Sequence, residues 1–376
     1  MNKSRRMLGL SLIEIMVALA IGTVLLLGLV QVFGASRTAY QLSEGMARVQ
    51  ENARFALEFL QRDIRMAGHY GCINDQAHLQ TPGAMGVHFG TPAFGHPLDF
   101  TVSVQGYEAA GTGPGTTVQI GRTADPVAGL PAGVVALGPN PDSDVLILRY
   151  LTGAGAPVTA IAGDASSAEE LTLAAGRADA LTTDGVATPT LFGIADCSYV
   201  DVFSGALAGE VVTVSGASSA TTDLAGRYTP HPSGQTMLYR AESIVYYVSD
   251  NPAGVPSLYR ARFDGAAYVA EEMVEGIESL QLVFGLDRTA DLAVDPPTGY
   301  IDNVAVASAG WDAVDWRRAG MVQVGILAAS PSRAASEQAP ARPVLGVQFT
   351  APATNDGTYR AGYESTVALR NRLYGN

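Results

Sequence analysis

Charged residues are scarce in this sequence of 376 residues, of which Asp, Glu, Lys and Arg together make up only 16%. Lys and Arg number 23 against 36 Asp and Glu, so the formal net charge is −13. A chain that is 47% hydrophobic is not a disordered acidic segment, which would be rich in charge and poor in apolar residues. The shortage of basic residues argues against a nucleic-acid partner, because phosphate binding needs a surplus of Lys and Arg.

Cysteine is also scarce, with Cys72 and Cys197 as the only two in the chain. Two cysteines are too few for a disulfide-rich scaffold, and their spacing fits no zinc-binding pattern. The sequence also lacks a G-x-S-x-G nucleophile motif, a P-loop and a dinucleotide-binding fingerprint. We therefore expect no catalytic residues, no enzymatic activity and no cofactor.

An acidic stretch late in the chain contains Asp287, Asp291 and Asp295. Calcium takes six to eight oxygen ligands, which a loop of this kind can supply, but the spacing is not that of an EF-hand. An acidic chain of this size also shows such runs by chance. We expect no bound metal, and these three aspartates are the candidates for calcium.

The N-terminal segment differs sharply from the rest of the chain. Three basic residues within positions 1–9 precede residues 10–33, a run of 24 residues that holds a single charge. A helix of that length rises about 36 Å, enough to cross a bilayer core of about 30 Å. The basic flank predicts a cytoplasmic N-terminus and a body on the other side. A secretory signal peptide is the alternative, but its apolar core would be about 7–15 residues long and followed by a small-residue cleavage site.

Glu14 is the one charge within this apolar run. Placing a carboxylate within the hydrocarbon core of a membrane costs roughly 2.5 kcal/mol or more, and less near the interface. An acidic residue in such a segment therefore indicates a functional role. The alternative is a plain single-pass anchor whose Glu14 reaches the cytoplasmic edge. Residues 9–14, GLSLIE, resemble the type IV prepilin signature. The resemblance implies cleavage between Gly9 and Leu10 by prepilin peptidase, N-methylation of Leu10, and an ion pair between Glu14 and a neighbouring subunit's α-amino group. The usual residue at the position of Leu10 is Phe.

The helical pattern continues beyond the apolar run, since no proline occurs before Pro82. We predict one helix over 10–67, with a transmembrane half at 10–33, an amphipathic half at 34–67 and a stop at Gly68. The apolar residues of the second half recur at steps of three or four, on one helical face: Leu42, Met46, Val49, Ala53, Leu57, Leu60, Ile64 and Ala67.

Residues 68–376 are predicted to form a β-rich body, with loop-rich insertions at about 80–142 and 151–192. The fold class is therefore α+β, with one long helix packed on an antiparallel sheet, and the prepilin resemblance implies a pilin-like fold. The predicted strands are short apolar or alternating runs bounded by turn residues: 144–150, 199–203, 210–214, 241–248, 257–263, 273–285, 319–328 and 359–373.

Several of these late segments resemble the PilW group of minor pilins: DVLILRY at 144–150, AESIVYYV at 241–248, EGIESLQLVFGLD at 275–287 and STVALRNR at 365–372. The resemblance implies a structural subunit of the inner membrane that initiates or tips a type IV pilus. Its implied partners are other minor and major pilins, prepilin peptidase and the pilus assembly platform. A J-type secretion pseudopilin is one alternative, and a membrane-anchored periplasmic adhesin or enzyme is another.

The predicted membrane topology indicates the redox state of the two cysteines. Both follow the apolar run, so both would face an oxidising compartment, where disulfides persist. We predict a Cys72–Cys197 bridge that ties the end of the helix to the body. Two free buried thiols are the alternative.

Overall fold

The computed structural model describes residues 11–72, 83–89, 96–163, 169–215, 223–288, 298–334 and 342–372. Helix α1 spans Leu12–Met66, 55 residues, close to the predicted helix. It ends just before Gly68, which has φ of +74°, a left-handed conformation that glycine adopts without a steric penalty. The body that follows is dominated by antiparallel strands. The predicted α+β class is therefore confirmed.

The described part of the body contains three short helices, α2 Ala132–Val135, α3 Leu224–Arg227 and α4 Ala313–Arg317. A 3₁₀ turn at Ala178–Leu181 and another at Arg370–Arg372 complete the helical elements. The strands, in chain order, are β1 Met85–Val87, β2 Val104–Tyr107, β3 Thr117–Gln119, β4 Val145–Ala162, β5 Glu170–Leu173, β6 Leu191–Ala195, β7 Val200–Ala208, β8 Val211–Val214, β9 Met237–Asp250, β10 Pro256–Phe263, β11 Tyr268–Glu275, β12 Ile277–Leu286, β13 Asn303–Ala305, β14 Ala319–Ala329, β15 Arg342–Val344, β16 Val347–Thr350 and β17 Arg360–Ala368.

The largest sheet closes on itself. Its described strands follow the order β11-β10-β9-β6-β7-β8-β5-β4-β2, and β4 also pairs with β9. Six strands (β4, β5, β8, β7, β6 and β9) thus form a closed antiparallel ring, which leaves those strands without free edges. The ring encloses its own apolar cluster, whose large members include Phe192, Phe203 and Leu238. Strand β1 adds to β7 in parallel from outside the ring.

A second sheet carries helix α1. Its order is β13-β12-β14-β17, with every pair antiparallel. The buried face of α1 shares one apolar core with β12 and β14 of this sheet and with β4 and β9 of the large one. Strands β15, β16 and β3 form a small third sheet beside them. Helix α1 therefore rests where the two larger sheets meet.

The structure differs from the loop-rich insertion predicted for 151–192. Strand β4 does not end at residue 150 but continues to Ala162, and β5 and the first two residues of β6 fall in the same interval. These segments are rich in Gly, Ala and Thr, so they lack the β-branched and aromatic pattern that predicts a strand. Their conformation is set by pairing with β9 and with one another around the ring.

The single strand predicted over 273–285 is in fact two strands in different sheets. Strand β11 ends at Glu275 and β12 begins at Ile277, with Gly276 between them at φ +75°. The Gly276 N–H donates to Pro256 O, and Gly276 O accepts from Ala329 N, so this residue bonds to both sheets. Strand β11 is largely exposed whereas β12 is buried almost throughout, so the two strands differ in environment on either side of the break.

Candidate assembly helix and its attachment to the body

The first half of α1 leaves its apolar side chains uncovered. The large hydrophobic residues from Leu12 to Phe33 are 45–78% exposed, which is unlike a core helix. This stretch is long and apolar enough to cross a membrane. An apolar helix that protrudes from a folded body fits a membrane anchor.

Glu14 lies in the first turn of this helix. The Glu14 N–H donates to Ser11 Oγ at 3.3 Å, and the Ser11 N–H donates to Glu14 Oε2 at 3.4 Å, which forms a capping box. Ser11 was not among the residues predicted to matter, although the S-x-x-E spacing is visible in the sequence. Glu14 is exposed and therefore accessible to a second molecule. Gly9 and Leu10, the predicted cleavage and methylation residues, lie outside the described residues.

The second half of α1 packs on the body through a face that differs in part from the predicted one. Met46 is 37% exposed and Leu57 is only half-buried, whereas Gly45 and Ala56 are buried. Small residues bring the helix backbone close to the strands. A Cβ on Gly45 would lie 2.4 Å from Ala334 Cβ, so close contact at this position requires glycine. Apolar periodicity alone overlooks glycine as an interface residue.

A buried carboxylate sits on the same face of α1. Asp63 accepts a hydrogen bond of 2.6 Å from the Tyr246 hydroxyl on β9. Arg260 on β10 approaches the Asp63 carboxylate at 3.5 Å, and Arg62 pairs with it at 3.1 Å. Burial, and then the charge of Asp63, raise the pKa of Tyr246 well above 10, so its hydroxyl stays a donor. These partners meet the need of a buried charge for pairing and hydrogen bonds.

The end of the chain caps the end of the helix. The Asn371 side-chain amide donates to Arg65 O at 3.0 Å and to Ala67 O at 3.2 Å. Terminal carbonyls of a helix have no partner within it, so Asn371 satisfies groups that α1 leaves open. Nearer the middle of the amphipathic half, the Gln61 amide donates to Ser365 Oγ at 2.9 Å. Strand β17 and the turn after it therefore hold α1 in register.

A disulfide makes the same attachment covalent, as predicted. Cys72 follows the end of α1, Cys197 lies between β6 and β7, and the two are bonded with their Cα atoms 4.9 Å apart. Asp196 shapes the loop around Cys197, since its Oδ1 accepts from the N–H groups of Ser198 and Tyr199 at 2.6 and 2.7 Å. The bridge ties α1 to the closed ring of strands.

We expect loss of this bridge to destabilise the body without affecting the membrane segment. The bonded residues are 125 positions apart, and the chain-entropy model gives up to about 5 kcal/mol for a loop of that length. The paired Cys72→Ser, Cys197→Ser variant should therefore melt at a lower temperature than the oxidised wild type. Non-reducing peptide mapping of the exported protein should show the linked peptides. Two thiols that alkylate freely without reductant would contradict the assignment.

The calcium candidates are only partly within the described residues. Asp291 and Asp295 lie outside them. Asp287 is 2% exposed, and its Oδ2 accepts hydrogen bonds from Thr298 N, Thr298 Oγ1 and Gly299 N. The Asp287 carboxylate is thus used to bind Thr298 and Gly299. Among the described residues no group of three or more His, Cys, Asp or Glu is placed to hold a metal ion.

A pair of acids lies where β2 and β4 meet β12. Asp144 is fully buried, and its two oxygens accept from Ala109 N and Leu282 N, both at 2.8 Å. Glu108 is its acidic neighbour, and burial raises the pKa of Glu108 to about 7. Burial, followed by the charge of Glu108, raises the pKa of Asp144 well above its ordinary value. Two adjacent buried carboxyls cannot both ionise cheaply.

The raised pKa of Glu108 should make the stability of the protein fall as the pH rises, and Glu108→Gln should remove this dependence. A carboxyl whose pKa is raised on folding stabilises the folded state below its unfolded pKa, and that stability is lost as the pH rises through about 7. The free energy of unfolding of wild type relative to Glu108→Gln should therefore fall by about 2 kcal/mol between pH 4.5 and 7.5. Urea unfolding of both proteins at the two pH values measures this, and a difference that does not change with pH would refute it.

One known family matches the part of the body on which α1 packs. Residues 245–371 match the family model described as Type IV Pilus-assembly protein W. The match covers about a third of the chain, begins within β9 and ends at Asn371, the residue that caps α1. No curated protein and no solved structure matches the chain. The match supports a PilW-type pilus-assembly protein, with pilus-related proteins as its general class of partner.

Proposed function

We propose that this protein is a minor pilin that does no chemistry and takes part in starting or tipping a type IV pilus. The observation that supports this most is the division of α1 into an uncovered apolar half and a half fixed to the body. The strands that fix it, β12, β14 and β17, lie within the region that matches the pilus-assembly family. The uncovered half is then the surface that passes from membrane to pilus.

In this proposal the leader is removed between Gly9 and Leu10, and Leu10 becomes the methylated N-terminus. Glu14 then pairs with the α-amino group of a neighbouring subunit within the apolar core. The capping box supports this role, because it holds the Glu14 carboxylate at the start of the helix, near the new terminus. Lys3 is the only lysine of the chain, so after cleavage the α-amino group is the one amine that another copy could offer.

Glu14→Gln should abolish assembly while the protein still inserts and loses its leader. The amide keeps the capping hydrogen bonds but removes the charge, which leaves the neighbour's buried amino group unpaired at a cost of about 3–5 kcal/mol. The number of pili per cell and the recovery of other pilins with the tagged protein measure assembly. Both should fall to the level of the deletion strain.

Glu51→Gln is the matched control, because Glu51 is an exposed acid on the amphipathic half of the same helix. It should leave pili and pilin recovery unchanged. Normal piliation in the Glu14→Gln strain would refute the charge pair. A wild-type number of pili after deletion of the whole gene, together with a defect in protein secretion, would instead favour the pseudopilin alternative.

A further inference from the structure

The body contains a cavity of about 740 Å³, and no residue of helix α1 lines it. Its volume lies within the range of pockets that hold small ligands, about 300–1,000 Å³. Strand β2, helix α2, the turn between β10 and β11, and the segment before α4 form its walls. Five aromatic side chains line it: Tyr107, Phe263, Tyr268, Trp311 and Trp316.

One wall of the cavity carries an acidic side chain, Glu108, beside a second acid. Glu108 lines the cavity, and its Oε1 lies 3.4 Å from the Thr112 hydroxyl. The Glu108 side chain also shares a hydrogen bond with the carboxyl of Asp144. The two Asp144 oxygens accept from the backbone N–H groups of Ala109 and Leu282 as well. Neither acid forms an ion pair with a Lys, Arg or His in the described ranges, and burial raises the pKa of Glu108 to about 7, so the pair is neutral in acid and carries a negative charge at pH 8.

The aromatic lining of the cavity also favours a positively charged ligand. Cations are attracted to the faces of Trp and Tyr rings. Trp311 shows this preference within the protein, since the Arg288 guanidinium lies 5.8 Å from its ring centroid. The guanidinium of Arg149 donates to Pro97 O at 2.9 Å, to Val102 O at 2.7 Å and to His96 O at 2.9 Å, and Arg149 is not one of the residues that line the cavity.

We infer that this cavity binds a small organic cation, an ammonium group attached to an aromatic or aliphatic body. The ammonium group donates to the Glu108 carboxylate, and the body rests against Tyr107, Tyr268 and Trp311. A carboxylate and aromatic rings around one space complement both parts of such a ligand, because one supplies the counter-charge and the others the apolar contact. The site is independent of the proposed pilin role.

The chain supplies its own probe for this test. Trp311 and Trp316 both line the cavity and are the only tryptophans in the sequence, so all tryptophan fluorescence originates there. We expect 2-phenylethylamine, added to the full chain in dodecyl maltoside micelles at pH 8, to change this fluorescence saturably. Uncharged 2-phenylethanol has the same body without the ammonium group. It should bind about tenfold more weakly, since an ion pair worth about 1.4 kcal/mol changes the Kd tenfold.

Three variants locate the site. Glu108→Gln should bind the amine no better than the alcohol. Glu170→Gln removes an exposed acid on β5 and should keep the tenfold preference. Gly133→Leu should weaken the binding of both ligands, because a Cβ at Gly133 would lie 3.7 Å from Tyr268 Cδ2, at the cavity wall. The inference is overturned if the wild type shows no saturable change, if it binds the two ligands equally, or if Gly133→Leu binds both as well as the wild type.

Discussion

Gly9→Val should leave all of the protein in the membrane as uncleaved precursor. The prepilin resemblance places the scissile bond between Gly9 and Leu10, and it implies a peptidase that needs a residue without a Cβ next to that bond. Intact-mass measurement of the membrane-extracted protein distinguishes the two forms, because the mature chain lacks nine residues, including its only lysine. No pili should incorporate the precursor.

Gly22→Val is the control for this experiment. Gly22 lies in the same apolar run, and a Cβ there would meet no atom of the body within 4 Å. The variant should be cleaved as the wild type is. Mature protein of normal mass in the Gly9→Val strain would contradict the assignment of the cleavage site, and with it the prepilin interpretation of the first ten residues.

Gly276→Val should strongly destabilise the body. Valine would have to adopt φ near +75°, and its Cβ would lie 2.6 Å from Ala329 O, a backbone atom that cannot move aside. A strained left-handed residue costs about 1–3 kcal/mol by itself. The clash falls where the chain crosses from the large sheet to the sheet that carries α1. We expect a total loss on the order of 4 kcal/mol or more, a large share of the stability of a typical domain.

Gly254→Val separates the two causes. Gly254 has φ of +74°, nearly the same as Gly276, but a Cβ at Gly254 would meet nothing within 4 Å. This control should cost only the backbone strain, about 1–3 kcal/mol. Thermal unfolding followed by circular dichroism compares the two variants. Equal melting temperatures would show that contact with Ala329 contributes nothing, and that the crossing at Gly276 is not the constraint we describe.

Predictions from the sequence were most successful where a local pattern carries the information. The long helix, the hairpin of β9 and β10 around the turn at 251–254, and the buried strand β14 all follow from apolar spacing and turn residues. The Cys72–Cys197 bridge followed from the number of cysteines and the predicted compartment, and the structure confirms it. The roles of Gly9, Leu10 and Glu14 in processing and assembly stay predictions.

The sequence does not reveal residues whose role depends on partners far away in the chain. Asp63 reads as a polar interruption of the helix, and only its contact with Tyr246 shows why a carboxylate is buried there. Asn371 reads as part of a terminal strand, and its role as a cap depends on the end of α1 lying beside it. Each partner is more than 180 residues away in the chain, so no local pattern could connect them.

The features that depend on neighbouring residues could be predicted from the sequence: an apolar helix, its amphipathic continuation, and an antiparallel β-rich body. Hydrophobic periodicity is a local property, so it can be recognised without knowledge of the fold. Three features are visible only in the folded chain: β4 and β9 close a ring of six strands, Gly276 divides one alternating run between two sheets, and Glu108 lines an aromatic cavity. These features depend on backbone hydrogen bonds and contacts between segments far apart in the chain, which composition and spacing do not specify.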